Sequence, residues 1–198
     1  MFTKTLLIST LSCLTIAVPV EQRQTNPNVF SMISTHSGDS SVHLRSIVAS
    51  GQRFYIGKPT ATYCPTVENL DCSTVGNTTS VAVTPNSSSG LSMNVIVPGG
   101  QSGYVTTDGQ LGYTIAHSNA KPEGSVSAPF LYIPQATPNT VGNLQFNAAG
   151  FEACPCNETT GVYQIYAVGG PAFVRTDCTG INIATSNSGT TTAAWQFT

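Results

Sequence analysis

Side chains able to do chemistry are few in this 198-residue chain, and their spacing argues against most kinds of it. Nucleophilic catalysis needs a base within hydrogen-bond reach of a hydroxyl or thiol. The bases on offer are His36, His43 and His117. His43 alternates with Val42 and Leu44, so it is expected on one face of a strand in a surface or structural role. His36 and His117 fall in stretches rich in Ser, Asn and Gly, and no Gly-x-Ser-x-Gly elbow is present. Glycoside hydrolysis asks for two carboxylates. Asp108 belongs to a turn, Asp71 and Asp177 each precede a cysteine, and Glu158 lies inside a glycosylation sequon. Glu152, beside Phe151 in an expected strand, has the fewest ordinary explanations. The alternative readings are a lectin-like carbohydrate-binding module and a small secreted hydrolase or host-directed effector, and a hydrolase would have to rest on Glu152 or His43. The chain offers no identifiable catalytic residue, and no cofactor is expected.

The cysteines are more informative. Lys4 is followed by an uncharged apolar run, residues 5–17, that ends in small residues at Thr15 and Ala17. This order is that of a secretory signal peptide, and the run is shorter than the roughly 20 residues a membrane span requires. Residues 1–17 are therefore expected to be removed, and 18–198 to form one secreted domain with no membrane segment. Arg23 marks a candidate further trimming site. Cys13 leaves with the leader, so five cysteines enter an oxidising compartment: Cys64, Cys72, Cys154, Cys156 and Cys178. Cys64 and Cys72 close a short loop and form a natural local bridge. Cys178 takes either Cys154 or Cys156, a bridge between Cys154 and Cys156 being sterically awkward. One thiol is left over. Cys-x-Cys without a His-x-x-x-His is not a zinc spacing, so no metal site is expected. Three sequons, at Asn77, Asn86 and Asn157, indicate N-glycosylation on surface loops.

Charged residues make up 8% of the chain and form no basic run, which excludes nucleic acid and anionic membrane as partners. Sugar is better matched. Tyr55, Tyr63, Tyr104, Tyr113, Tyr132, Tyr163, Tyr166 and Trp195 could each present an apolar face with a polar tip to wall polysaccharide. Most of them alternate within expected strands, which points equally to core packing.

Helical periodicity is nearly absent. Short runs rich in Val, Ile, Tyr, Phe and Thr recur between Gly, Pro, Asn and Ser. Strands are expected at 29–34, 42–49, 53–57, 80–84, 91–97, 103–107, 111–116, 129–133, 144–147, 151–154, 162–168, 182–185 and 194–197. The clearest hairpin turns at Asp108-Gly109. The class is all-β, a single compact antiparallel domain of about a dozen strands stapled by disulfides. A faint echo near residues 30, 81 and 130, at a period of roughly 50, suits a β-trefoil; a β-sandwich accommodates the same strands.

Several segments, taken in order, resemble the small secreted fungal cell-wall proteins of the PhiA type. They are Pro19-Val-Glu-Gln-Arg-Gln24, Val42-His-Leu44, Arg53-Phe-Tyr-Ile-Gly57, Leu111-Gly-Tyr-Thr114, Gly150-Phe-Glu-Ala-Cys-Pro155, Val162-Tyr-Gln-Ile-Tyr166 and Asp177-Cys178. The resemblance implies a non-enzymatic wall or surface glycoprotein used in spore or conidiophore development, in a family that includes IgE-binding allergens. It also implies that Cys154 pairs with Cys178 and leaves Cys156 as the odd thiol. Cys156 and the longer Ser/Thr-rich insertions depart from the family pattern.

Overall fold

A computed structural model describes residues 29–137, 139–157, 159–187 and 192–198. The expected signal peptide and Arg23 lie outside the described residues. Fifteen strands and one 3-10 turn, Cys72–Thr74, make up the regular structure described, and the expected all-β antiparallel class holds. Each of the thirteen expected segments overlaps a strand. Two further strands, β4 (Thr62–Tyr63) and β6 (Ser88–Ser89), are only two residues long, too short for any alternation to reveal them.

The architecture turns on two long strands, β1 (Val29–Thr35) and β14 (Thr179–Ser186), paired from Ser31↔Ser186 to Thr35↔Asn182. β1 alternates strictly, burying Phe30, Met32 and Ser34, the pattern of a strand with one face in the core. β2 (Arg45–Ser50) and β3 (Arg53–Ile56) continue from β1 as a meander. β12 (Phe151–Pro155) and β13 (Tyr163–Ala167) form a hairpin whose first strand pairs with β14. The two three-strand units join where β3 meets β13, at Tyr55↔Gln164. The pairing order β1-β2-β3-β13-β12-β14-β1 is a closed ring of six strands, which leaves no edge open there. It is assembled from the two ends of the chain, so the three-fold echo does not organise the pairing.

Beyond the ring both long strands exchange partners. β1 passes from β2 to β5 (Val81–Ala82), and β14 passes from β12 to β11 (Gly142–Phe146). β11 and β12 run in tandem along one edge of β14, separated by a break where Asn147 and Ala148 have φ of +50° and +55°. The break is a tight two-residue turn, closed by Phe146 and Ala149, which exchange both backbone hydrogen bonds. The sheet extends through β10 (Phe130–Ile133) to β6 on one side and through β5 to β7 (Ser92–Met93) on the other. Ring pairs Phe30–Tyr132, at 4.2 Å, and Phe130–Phe146, at 4.9 Å, pack its inner face.

The Asp108-Gly109 hairpin forms between β8 (Gly103–Val105) and β9 (Leu111–Tyr113), with Gly109 at φ +90°. β15 (Gln196–Phe197) pairs with β4 and brings the C-terminus back to the core. Buried Gln101 clamps it: Nε2 donates to the carbonyls of Thr114 and Phe197, and Oε1 accepts from Phe197 N–H at 2.8 Å. The expectation for His43 needs correction. Residues 42–44 form a turn before β2, closed by Leu44 at φ +56° and by Leu44 N–H donating to Ser34 O. Buried Ser34 also shares its hydroxyl proton between Val42 O in that turn and Arg45 O at the first residue of β2, which fixes the turn against β1.

Candidate functional site

Alternation places Arg53 and Tyr55 on one face of β3, and Gln164 and Tyr166 on one face of β13. Because Tyr55 lies directly opposite Gln164, these faces are the same face, the outer one of the ring. Polar side chains are tied together across it. Arg53 Nε donates to Gln110 Oε1 at 2.9 Å, and Gln164 Nε2 donates to the same oxygen at 3.0 Å. Gln110 Nε2 in turn donates to Asp108 Oδ2, and Arg53 Nη1 donates to Tyr104 Oη. Thr106 and Gln110 bond to the Asp108 carboxylate and hold its pKa below the usual range, against the opposing effect of partial burial.

Cations stack on the aromatics of this face. Lys58 Nζ lies 3.7 Å from the centroid of Tyr55, and the Arg53 and Arg175 guanidinium groups lie over Tyr104 and Tyr166 at 5.8 and 5.2 Å. Arg175 reaches the face from the 170–178 loop, donating to Tyr166 Oη and Pro155 O and forming a two-pronged ion pair with Asp177. Hydrogen bonding within that pair raises the arginine pKa and lowers the aspartate pKa. The Cys154–Cys178 disulfide anchors the loop one residue further on. A groove of about 360 Å³ opens here, with Tyr55, Lys58, Asn157, Thr159, Gln164 and Arg175 among its walls. A half-buried tyrosine flanked by amide, hydroxyl and cationic donors with fixed partners is suited to stacking a sugar ring and bonding its hydroxyls.

Sequence reasoning named Tyr55 and Tyr166 as sugar-facing candidates but missed Arg53, Lys58, Gln110, Gln164 and Arg175. The signal was present in the paired alternations Arg53-x-Tyr55 and Gln164-x-Tyr166. Burial sorts the other aromatics. Tyr104, Tyr113 and Tyr132 are core residues, Tyr163 packs against the core, and Tyr63 is 53% exposed on β4. Tyr166 is itself buried, beneath Arg175 and Phe173.

Of the residues a hydrolase would need, Glu152 and His36 come together at the rim of the ring. His36 Nδ1 lies 2.6 Å from Gly180 O, so this nitrogen carries the proton, and Gly180 pairs with Glu152. His43 Nδ1 accepts from His36 N–H. Burial raises the Glu152 pKa, and nearby His36 opposes the shift. Both histidines spend Nδ1 on backbone groups. His117 is exposed at φ +62°.

Cys64–Cys72 and Cys154–Cys178 are disulfide-bonded, and Cys156 is free and half-buried in the groove wall. The ladder pairs Ala153 with Thr179, which sets Cys154 against Cys178. Asn77, Asn86 and Asn157 are all exposed. The Asn77 sequon differs in that Thr79 is buried, its hydroxyl accepting from Ala49 N–H and bonded to Thr60. Among the described residues no cluster of three or more His, Cys, Asp or Glu is placed to hold a metal ion, and no helix is long and apolar enough to cross a membrane.

A protein from Arthroderma benhamiae named as an uncharacterized secreted protein is 35% identical over 181 residues, covering 87% of each chain. No solved structure matches the chain significantly. Residues 30–198 match the model of the PhiA-like secreted proteins, and the chain, with its all-β fold and two disulfides, belongs to that family of secreted fungal proteins.

Proposed function

We propose that the protein is a non-enzymatic glycoprotein of the fungal cell wall, held to wall polysaccharide by the outer face of the six-strand ring, and that it serves in spore or conidiophore development. The observation that carries the adhesion is the groove formed by Tyr55, Gln164 and Arg175, in which Gln164 is held by Gln110 and Arg175 by Tyr166, Pro155 and Asp177. Preorganised donors lower the ordering cost of binding. The non-enzymatic part is supported by the engagement of both His36 and His43 with backbone groups. Family membership supports secretion, and the three exposed sequon asparagines support glycosylation.

The test is fractionation of the native fungus into medium, detergent-extracted wall and wall released only by glucanase, each blotted before and after N-glycan removal. A glucanase-released pool with a glycan-dependent mass shift is expected, and Tyr55→Ala should move most of the protein to the medium. Recovery of the wild type in the medium alone would overturn the reading. A turnover activity lost in Glu152→Gln would replace it with a hydrolase.

A further inference from the structure

A second groove of about 360 Å³ lies across β6, β7 and β8, and it shares no residue with the ring-face groove. Its walls are mainly hydroxyls, from Thr84, Ser89, Ser92, Ser102, Thr114 and Ser127, joined by Asn119 and the Lys121 ammonium. No wall residue is acidic or aromatic. Gly90 and Gly103 leave the floor without side chains; a Cβ at Gly103 would come within 2.6 Å of Leu91. Some of this polar lining already has partners: Lys121 Nζ donates to Ser127 Oγ at 2.8 Å, and Thr114 Oγ1 accepts from Ser102 N–H. Ser89 Oγ has none, although it is buried. A buried hydroxyl with unspent hydrogen-bonding capacity is costly in isolation. A serine needs only one χ1 rotation to turn such a hydroxyl toward a ligand.

We infer that this groove is a second saccharide site, taking an uncharged hexose polymer edge-on through its hydroxyls. The lining decides the class. Without a carboxylate it offers nothing to a cation or basic peptide, and its one large apolar wall residue, Leu91, is 1% exposed and leaves no greasy side chain for a lipid. A row of small donors and acceptors over a glycine floor matches a flat ligand bearing hydroxyls on its edges. The inference rests on the proposed wall adhesion for its biological meaning, but the site stands on its own residues. Between the two grooves the sheet order runs β13-β3-β9-β8, so one hydrogen-bonded sheet carries both. Two attachment points on one rigid sheet hold a polymer far longer than either alone.

The experiment is amide-resolved NMR titration of the mature glycoprotein with three neutral probes, a β-1,3-glucan hexamer, a chitin hexamer and a mannose hexamer, and with a galacturonate hexamer as the charged control. A neutral probe is expected to shift the amides of Ser89, Gly90, Ser92 and Ser102 saturably. Thr84→Trp, which fills the groove from an exposed loop position, should weaken that response at least tenfold and leave the Tyr55 and Gln164 amides responding as before. Silence of the groove amides to every neutral probe, a response to galacturonate alone, or an unchanged response in Thr84→Trp would each overturn the inference. Movement of the groove amides while Tyr55 and Gln164 stay silent would uphold it and refute the ring-face adhesion.

Discussion

Removing one disulfide should cost this fold far more than removing the other, although both are local. Cys154–Cys178 closes 24 residues, for which chain entropy gives about 3.4 kcal/mol of stabilisation; Cys64–Cys72 closes 8, for about 2.5 kcal/mol. Loop length alone makes the two bridges similar, and the structure separates them. Cys154 is fully buried in β12, its partner closes the β12–β14 ladder of the ring, and the loop so anchored carries Arg175. Around Cys64–Cys72, residues 62–78 include no buried side chain, so this loop opens without disturbing the core. A Cys154→Ala/Cys178→Ser variant should therefore lose its full share, and at about 2–4 °C per kcal/mol its melting temperature should fall by about 7–14 °C. A Cys64→Ser/Cys72→Ser variant should fall by less than about 5 °C, part of its entropic loss being matched by the freedom the native loop gains. Differential scanning calorimetry of both variants beside the wild type reads the difference directly. Equal losses, or a larger loss at Cys64–Cys72, would refute the claim that core connectivity rather than loop closure sets the cost.

Three further outcomes follow from buried or half-buried polar groups. Gln101→Leu should destabilise by about 2–4 kcal/mol in urea unfolding, because it strands the Phe197 N–H and two carbonyls in the core; a loss under 1 kcal/mol would show that β15 holds without its clamp. Burial pushes the Tyr113 pKa up to about 12, with the Gln52 backbone hydrogen bond only partly offsetting it. The folded-state pKa exceeds the unfolded value near 10, so this contribution is complete below about pH 10 and is lost as pH rises through about 12; ultraviolet titration should show one tyrosine ionising last, together with unfolding, and Tyr113→Phe should remove that step. Burial likewise raises Glu152, so its contribution is present below the unfolded carboxylate pKa and fades as pH rises through the folded one. Glu152→Gln should raise the melting temperature at pH 7 and leave it unchanged near pH 3, and equal effects at both values would contradict the shift.

How much of this was legible in the chain depends on the range of each interaction. Alternation is local, so Phe30-x-Met32 and Arg53-x-Tyr55 announce strands and even their faces. Pairing is not local. Nothing near Tyr55 indicates Gln164 as its neighbour, and nothing near Ile181 says that β14 will exchange β12 for β11 within two residues. The three-fold echo carried no topology for the same reason: the segments at 30, 81 and 130 look alike because each is a half-buried strand, a likeness that carries no register. The turn at 42–44 was hidden by ordinary apolar alternation, since Leu44 adopts a positive φ that its residue type disfavours and that Ser34 holds in place from another strand. The candidate sites divide along the same line. Of the ring-face groove only Tyr55 could be named as sugar-facing by type, and Lys58, Gln164 and Arg175 join it as one site only when the two ends of the chain close the ring. The hydroxyl groove left no mark at all, because serine and threonine are common throughout this chain and only three-dimensional convergence distinguishes six of them from the rest.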